Sequence, residues 1–182
     1  MNSHVGLRID GLDERHPGLT AAVAATYYEA ACVCLDRHHR PPTSFRLESD
    51  EDVSDLLVEW AVSDERSRMA WANDVDRTEC GASAVAIAAA ETALGMVAVR
   101  RAETRSGADY YLMPAGQEAD DLETAFRLEI SGIDSGPVRA VYQRVRQKVE
   151  QVLRGTSNLP AVVGVTGFGC ARIVLQAVEA LE

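Results

Sequence analysis

Apolar residues recur along this chain at two spacings, every second position in some stretches and every third or fourth in others, and these predict its elements. Residues 4–10 (HVGLRID) alternate weakly, as an edge strand does. A helix is expected from His16-Pro17, with Pro17 in its first turn, to about Arg37, before Pro41 and Pro42 forbid continuation. FRLES and DLLVEW read as short strands, and DERSRMAWAN as a short helix. From residue 74 the pattern sharpens. Asp76 is expected to cap a buried helix, TECGASAVAIAAAETAL, that stops at Gly95. MVAVRR and ADYYLM form a predicted hairpin around TRSG, and LETAFRLEIS is a third strand. Val141, Val145, Val149 and Val152 fall at helical spacing between Pro137 and Gly155. LPAVVGVTGF then reads as a buried strand and CARIVLQAVEAL as a closing helix.

The predicted order after residue 74 is helix, strand, strand, strand, helix, strand, helix. Three antiparallel strands and a helical crossover to a parallel fourth make a mixed sheet with helices on its faces, an α/β fold. Residues 74–182 are expected to be the core, and residues 1–73 an N-terminal α/β extension packed on it as one compact unit.

Charge narrows the function. The 182 residues carry a net charge of −10 and a pI near 4.9, which excludes an unspecialised, high-affinity nucleic-acid binder. Residues 99–154 nevertheless hold nine basic and nine acidic side chains, a neutral stretch in an acidic chain. The start MNSHVGLRID has neither a basic segment nor an apolar one of signal-peptide type, and no apolar run is long enough to span a bilayer. With four cysteines at no disulfide-framework spacing, the expectation is a cytoplasmic protein with free thiols and no membrane partner.

The candidate chemistry centres on Lys148, the only lysine among eighteen basic residues. Upstream, two acids interrupt apolar runs: Asp109 in GADYYL and Glu129 in RLEISG. On strands, Asp109 and Tyr111 share one face, as do Arg127, Glu129 and Ser131. If the strands pair, Asp109 and Glu129 become neighbouring carboxylates, tolerable when a cation lies between them. Arg144, Lys148 and Gln151 form one stripe of the next helix, away from the valines. They bring an ammonium, an amide and a phosphate-binding guanidinium, with Arg127 as a second phosphate ligand. Glu79 offers a third oxygen for Mg²⁺ or Mn²⁺.

With GAD109YYL and LE129ISG on the second and third core strands, residues 74–170 resemble the PD-(D/E)XK nuclease superfamily, and also a group of uncharacterised bacterial proteins of similar length. The resemblance implies a restriction-endonuclease-like core and metal ligation by Asp109, Glu129 and Glu79. It further implies hydrolysis of nucleic-acid phosphodiesters, often in defence against foreign DNA. One position departs: Ser131 stands where the superfamily has its strand lysine. Some members carry that lysine, or a glutamine, on the next helix, and Lys148 or Gln151 matches that substitution. Without a working substitute the chain is a catalytically silent relative, an interaction or regulatory subunit. The acidic surface suits a protein partner or a homodimer that completes a weak nucleic-acid contact.

Each residue also has an ordinary structural role open to it. Glu79, three positions after Asp76, fits a capping box. Asp109 after Gly107 can close a turn, Arg127 and Glu129 can pair with each other or with Arg100, and Lys148 can be a solvated helix position. A small-ligand regulator using the cleft between extension and core is a further alternative. GVTGFGC lacks the G-x-G-x-x-G order. Cys32, Cys34, His38 and His39 lack a second ligand pair for zinc, and Ser131 has no histidine partner for a triad.

Overall fold

The structure, a computed structural model, describes residues 5–104, 106–117, 121–155 and 157–179. The order is β1 (Val5–Leu7), α1 (Leu12–Arg15), α2 (Ala21–His38), β2 (Thr43–Glu48), β3 (Val53–Val58), α3 (Glu65–Ala70), α4 (Asp74–Leu94), β4 (Met96–Arg101), β5 (Tyr110–Pro114), β6 (Phe126–Ile133), α5 (Val138–Leu153), β7 (Ala161–Gly167) and β8 (Arg172–Val178). The strands make one eight-stranded mixed sheet, in the order β1-β3-β2-β8-β7-β6-β5-β4. β4, β5 and β6 are successive antiparallel neighbours, and α5 carries the chain to β7, parallel to β6. The fold is α/β with helices on both faces of the sheet, as the periodicity predicts. The sheet also continues past residue 74, since β2 from the N-terminal part lies parallel to β8.

The closing helix expected over CARIVLQAVEAL is instead the strand β8. Ile173 and Leu175 enter the core on one face of the sheet, and Val174 and Val178 enter the other. A strand covered on both faces is apolar at nearly every position, so its period is hidden. Ala171, at φ 49°, turns the chain from β7 into β8.

Helix α4 is the centre of the molecule. Asn73, rather than Asp76, caps it, its Oδ1 accepting from Val75 N and Asp76 N at 3.0 and 3.2 Å. Gly95 closes it in the left-handed conformation. Its alanine-rich middle is buried all round because it lies between the sheet and α2. A Cβ on Gly81 would come within 3.1 Å of the Ala31 backbone of α2, and one on Gly132 of β6 within 2.6 Å of Thr78 O. The opposite face is covered by α5, whose Val141, Val145 and Val152 meet Val163, Val165, Val174 and Val178.

Helix α2 begins at Ala21 under a Thr20 cap, not at Pro17. The preceding residues have another task, covering the free edge of β4. Ala98 N donates to His16 Nδ1 at 3.0 Å, and Gly18 N donates to Ala98 O at 2.9 Å, so this edge position cannot template another strand. His16 is wholly buried, and its Nε2 lies 3.2 Å from Glu91 Oε2. The backbone donor fixes the neutral imidazole, and burial lowers its pKa from 6.5 despite the pull of Glu91. The unfolded chain therefore binds the extra proton more readily, and stability falls as pH drops through 6.5. His16→Asn keeps an acceptor for Ala98 N and removes the titration. Between about pH 7.5 and pH 5.5 the wild type is expected to lose more of its urea-unfolding free energy than the variant does. Parallel losses would refute this assignment of the acid sensitivity.

Candidate functional site

The site is built from the end of a strand ladder. Tyr110 of β5 pairs with Leu128 of β6, both facing the α4 side. One position earlier, Asp109 N still donates to Leu128 O at 2.7 Å, but the strands then part. Asp109 Oδ2 takes over as acceptor for Ile130 N at 2.8 Å, which brings its carboxylate alongside β6 next to Glu129. Alternation along β6 sends Leu128 and Ile130 into the α4 core and Glu129 toward α5. There Lys148 Nζ donates to Glu129 Oε1 at 2.7 Å, and Gln151 Nε2 donates to the same oxygen at 3.0 Å. Arg144, one helical turn before Lys148, donates to Ser131 Oγ at 3.0 Å.

These groups line one open cleft of about 280 Å³. Its walls bring Glu79 and Ser83 from α4 together with Asp109, Glu129 and Ser131 from the strand side and Arg144 and Lys148 from α5. Three carboxylates thus meet three cations, Arg101, Arg144 and Lys148. Glu129 is 5% exposed, and burial raises its pKa above the ordinary 4.5. Asp109 pushes in the same direction, whereas Lys148 and Gln151 oppose it.

Of the residues singled out from the sequence, Asp109, Glu129, Lys148, Arg144 and Glu79 line this cleft. Gln151 stands behind them, bound to Glu129 and accepting from Lys148 at 3.3 Å. Glu79 is not in a capping box, since Asn73 is the cap and Glu79 lies a turn inside the helix. Arg127 does not line the cleft. Its buried guanidinium donates to Leu159 O at 3.1 Å and Ser106 O at 3.4 Å, tying two loops to β6, and burial lowers its pKa. Arg100 pairs with Glu103 at 3.0 Å instead of with Glu129.

Arg101 and Tyr27 are among the cleft residues that escape the sequence reading. Arg101 lies 3.5 Å from Asp109 Oδ1, with its guanidinium 4.8 Å from the centroid of the Tyr110 ring. A bulge between Ala98 and Arg100 breaks the alternation of β4, so counting faces cannot place it. Tyr27 of α2 accepts from Arg101 at 2.9 Å, a contact that needs the docking of α2 on α4. Cys32 and Cys34 are buried thiols, raised by that burial to about 11 and about 12. His38 binds Asp134 at 3.2 Å, and His39 binds Phe168 O at 2.6 Å. Among the described residues, no three His, Cys, Asp or Glu side chains are drawn close enough to hold a metal ion as they stand.

Compared with known proteins, the chain matches no family model, and neither a curated protein nor a solved structure gives a significant match. No helix among the described residues is long and apolar enough to cross a membrane.

Because Glu129 binds its proton more tightly folded than unfolded, its contribution to stability is lost as pH rises above 4.5 toward its raised folded value. Lys148→Met removes the opposing ammonium and extends that window upward. The variant is expected to trail the wild type in unfolding free energy by a margin that grows from about pH 5 to about pH 8. At the upper end the margin should reach roughly 3 kcal/mol, while the Glu129→Gln/Lys148→Met double variant shows no such growth. A pH-independent margin would contradict the arrangement.

Proposed function

We propose that this chain is a divalent-cation-dependent phosphodiesterase acting on nucleic acid, with a PD-(D/E)XK-like core at about residues 74–182. The observation that carries the reading is the meeting of Glu79 of α4, Asp109 just ahead of β5, Glu129 of β6 and Lys148 of α5 in one solvent-reachable cleft. The order α4-β4-β5-β6-α5-β7 and its parallel crossover support it too.

The donor chemistry suits a hard cation. Asp109 and Glu129 offer carboxylate oxygens from adjacent chain segments, and Glu129 is a buried acid that needs positive charge beside it. Both protein donors to Glu129 fall on Oε1, which leaves Oε2 for a ligand. As they stand the three acids do not close on one point; Asp109 and Glu129, with Glu79 drawn in from the α4 wall, would hold Mg²⁺ or Mn²⁺, which would supply an acidified water and a polarised phosphoryl group. The remaining work belongs to the chain. Arg144 and Arg101 bind the phosphate oxygens and offset the acidic field around the cleft. Lys148 keeps an ammonium at the Glu129 carboxylate, where it orients the attacking water and counters negative charge building on phosphorus. Gln151 holds the Lys148–Glu129 pair in position. Water adds to phosphorus, the ester P–O bond breaks, and the proton passes to the departing oxygen.

A second reading also has an observation behind it. Lys148 is already paired with Glu129 and Arg101 with Asp109, which suits a silent scaffold that has replaced its cation with side chains. The two readings separate on one assay. With millimolar Mg²⁺ or Mn²⁺, the enzyme reading expects cleavage of single- or double-stranded DNA or RNA, reduced about a hundredfold or more by Asp109→Asn or Glu129→Gln. It also expects a metal-dependent rise in melting temperature that Asp109→Ala abolishes. No cleavage together with an unmoved melting curve would leave the scaffold.

A further inference from the structure

Away from this cleft, the last turns of α2, helix α3 and the first turn of α4 surround a second hollow, of about 380 Å³. Four of its lining side chains are arginines, Arg37, Arg40, Arg68 and Arg77, beside Val33 and Asp36. On a chain of net charge −10 this is a concentration against the prevailing sign. The arginine fork matches phosphoryl oxygens.

Nearby acids only partly offset it. The two Asp36 carboxylate oxygens already accept from Trp60 Nε1 at 2.7 Å and Ser63 N at 2.5 Å. Asp74 and Asp134 lie 3.8 and 3.3 Å from Arg37, and 2.5 and 3.9 Å from Arg77. Among the described residues, Arg40 and Arg68 form no ion pair, and Arg68 donates only to Ser63 O, at 2.6 Å. The floor is independently unusual. The Arg77 side chain is 3% exposed, with one nitrogen on Trp71 O and one on Asp74, while its buried Nε meets no acceptor. That guanidinium is buried with one N–H unmet, so an anion in the hollow beside it would add favourable charge to an under-partnered cation.

We propose that this hollow binds a phosphoryl anion, with Arg77 as its buried base and Arg40 and Arg68 as the free forks that engage it. The site is separate from the carboxylate cleft and does not rest on the phosphodiesterase reading. Free phosphate and the terminal phosphate of a nucleic-acid strand present the same chemistry.

The test is calorimetric titration of the full chain with inorganic phosphate and, separately, with a 5′-phosphorylated dinucleotide and its unphosphorylated counterpart, at matched ionic strength. Saturable binding is expected for the phosphorylated probes, weakened about tenfold or more in the Arg40→Gln/Arg68→Gln variant. Both positions are exposed, so the variant should keep the wild-type melting curve. Replacement of both by lysine should weaken binding less than replacement by glutamine. Tighter binding of the dinucleotide than of phosphate would assign the source to a nucleic-acid end; equal binding would assign it to free phosphate. The proposal is overturned if neither probe saturates, if binding is unchanged in the double glutamine variant, or if Arg144→Gln removes binding while the double variant does not.

Discussion

A carboxylate taken out of water needs a cation, and the cleft of this protein is arranged around that need. Glu129 is placed by strand alternation, since the α4 core fixes Leu128 and Ile130 on one face of β6 and sends Glu129 to the other. Asp109 is placed by backbone hydrogen bonding at the point where β5 and β6 separate. Neither position responds to the repulsion between the two acids, so other groups must. Here Lys148 and Gln151 answer from α5, and the valine face of that helix against β7 and β8 holds them there. Removing one partner of a buried pair typically costs about 3–5 kcal/mol, so α5 and the cleft are energetically coupled.

The small residues of α4 and β6 set the other dimension. Gly132 lets α4 approach the sheet to backbone distance, and Gly81 does the same for α2 on the outer side. These approaches bring Tyr27, from the N-terminal part of the chain, to the wall of a cleft otherwise built from residues beyond position 74. The sheet runs through that boundary as well, through the pairing of β2 with β8. Cleft and hollow differ in charge balance: the first matches three carboxylates with three cations, and the second sets four arginines against Asp36, Asp74 and Asp134, which engage neither Arg40 nor Arg68.

Much of this is legible in the sequence because it rests on local rules. The two periodicities locate α2, α4, α5 and most strands, and alternation, once β5 and β6 are taken to pair, puts Asp109 and Glu129 on one face. Lys148 and Gln151 are legible from their stripe opposite the valines. What the sequence hides is non-local or breaks a local rule. β8 is covered on both faces and shows no period. The bulge in β4 conceals Arg101, and Tyr27 depends on helix docking. The arginine hollow joins residues from three helices with no common motif. Arg127 misleads because it shares the Glu129 face, yet nearby loop carbonyls capture it.

The proposed function turns on Glu129, a buried carboxyl group whose pKa is raised above 4.5 and whose Oε2, free of the protein donors that fall on Oε1, would take a divalent cation. A ¹³C-detected NMR titration of the Glu129 carboxyl, run with and without Mg²⁺, measures this directly. The account predicts a pKa above 4.5 without the ion and a fall of about one unit or more when it is added. A Glu129 carboxyl that titrates at its ordinary value, or that is indifferent to Mg²⁺, would contradict it.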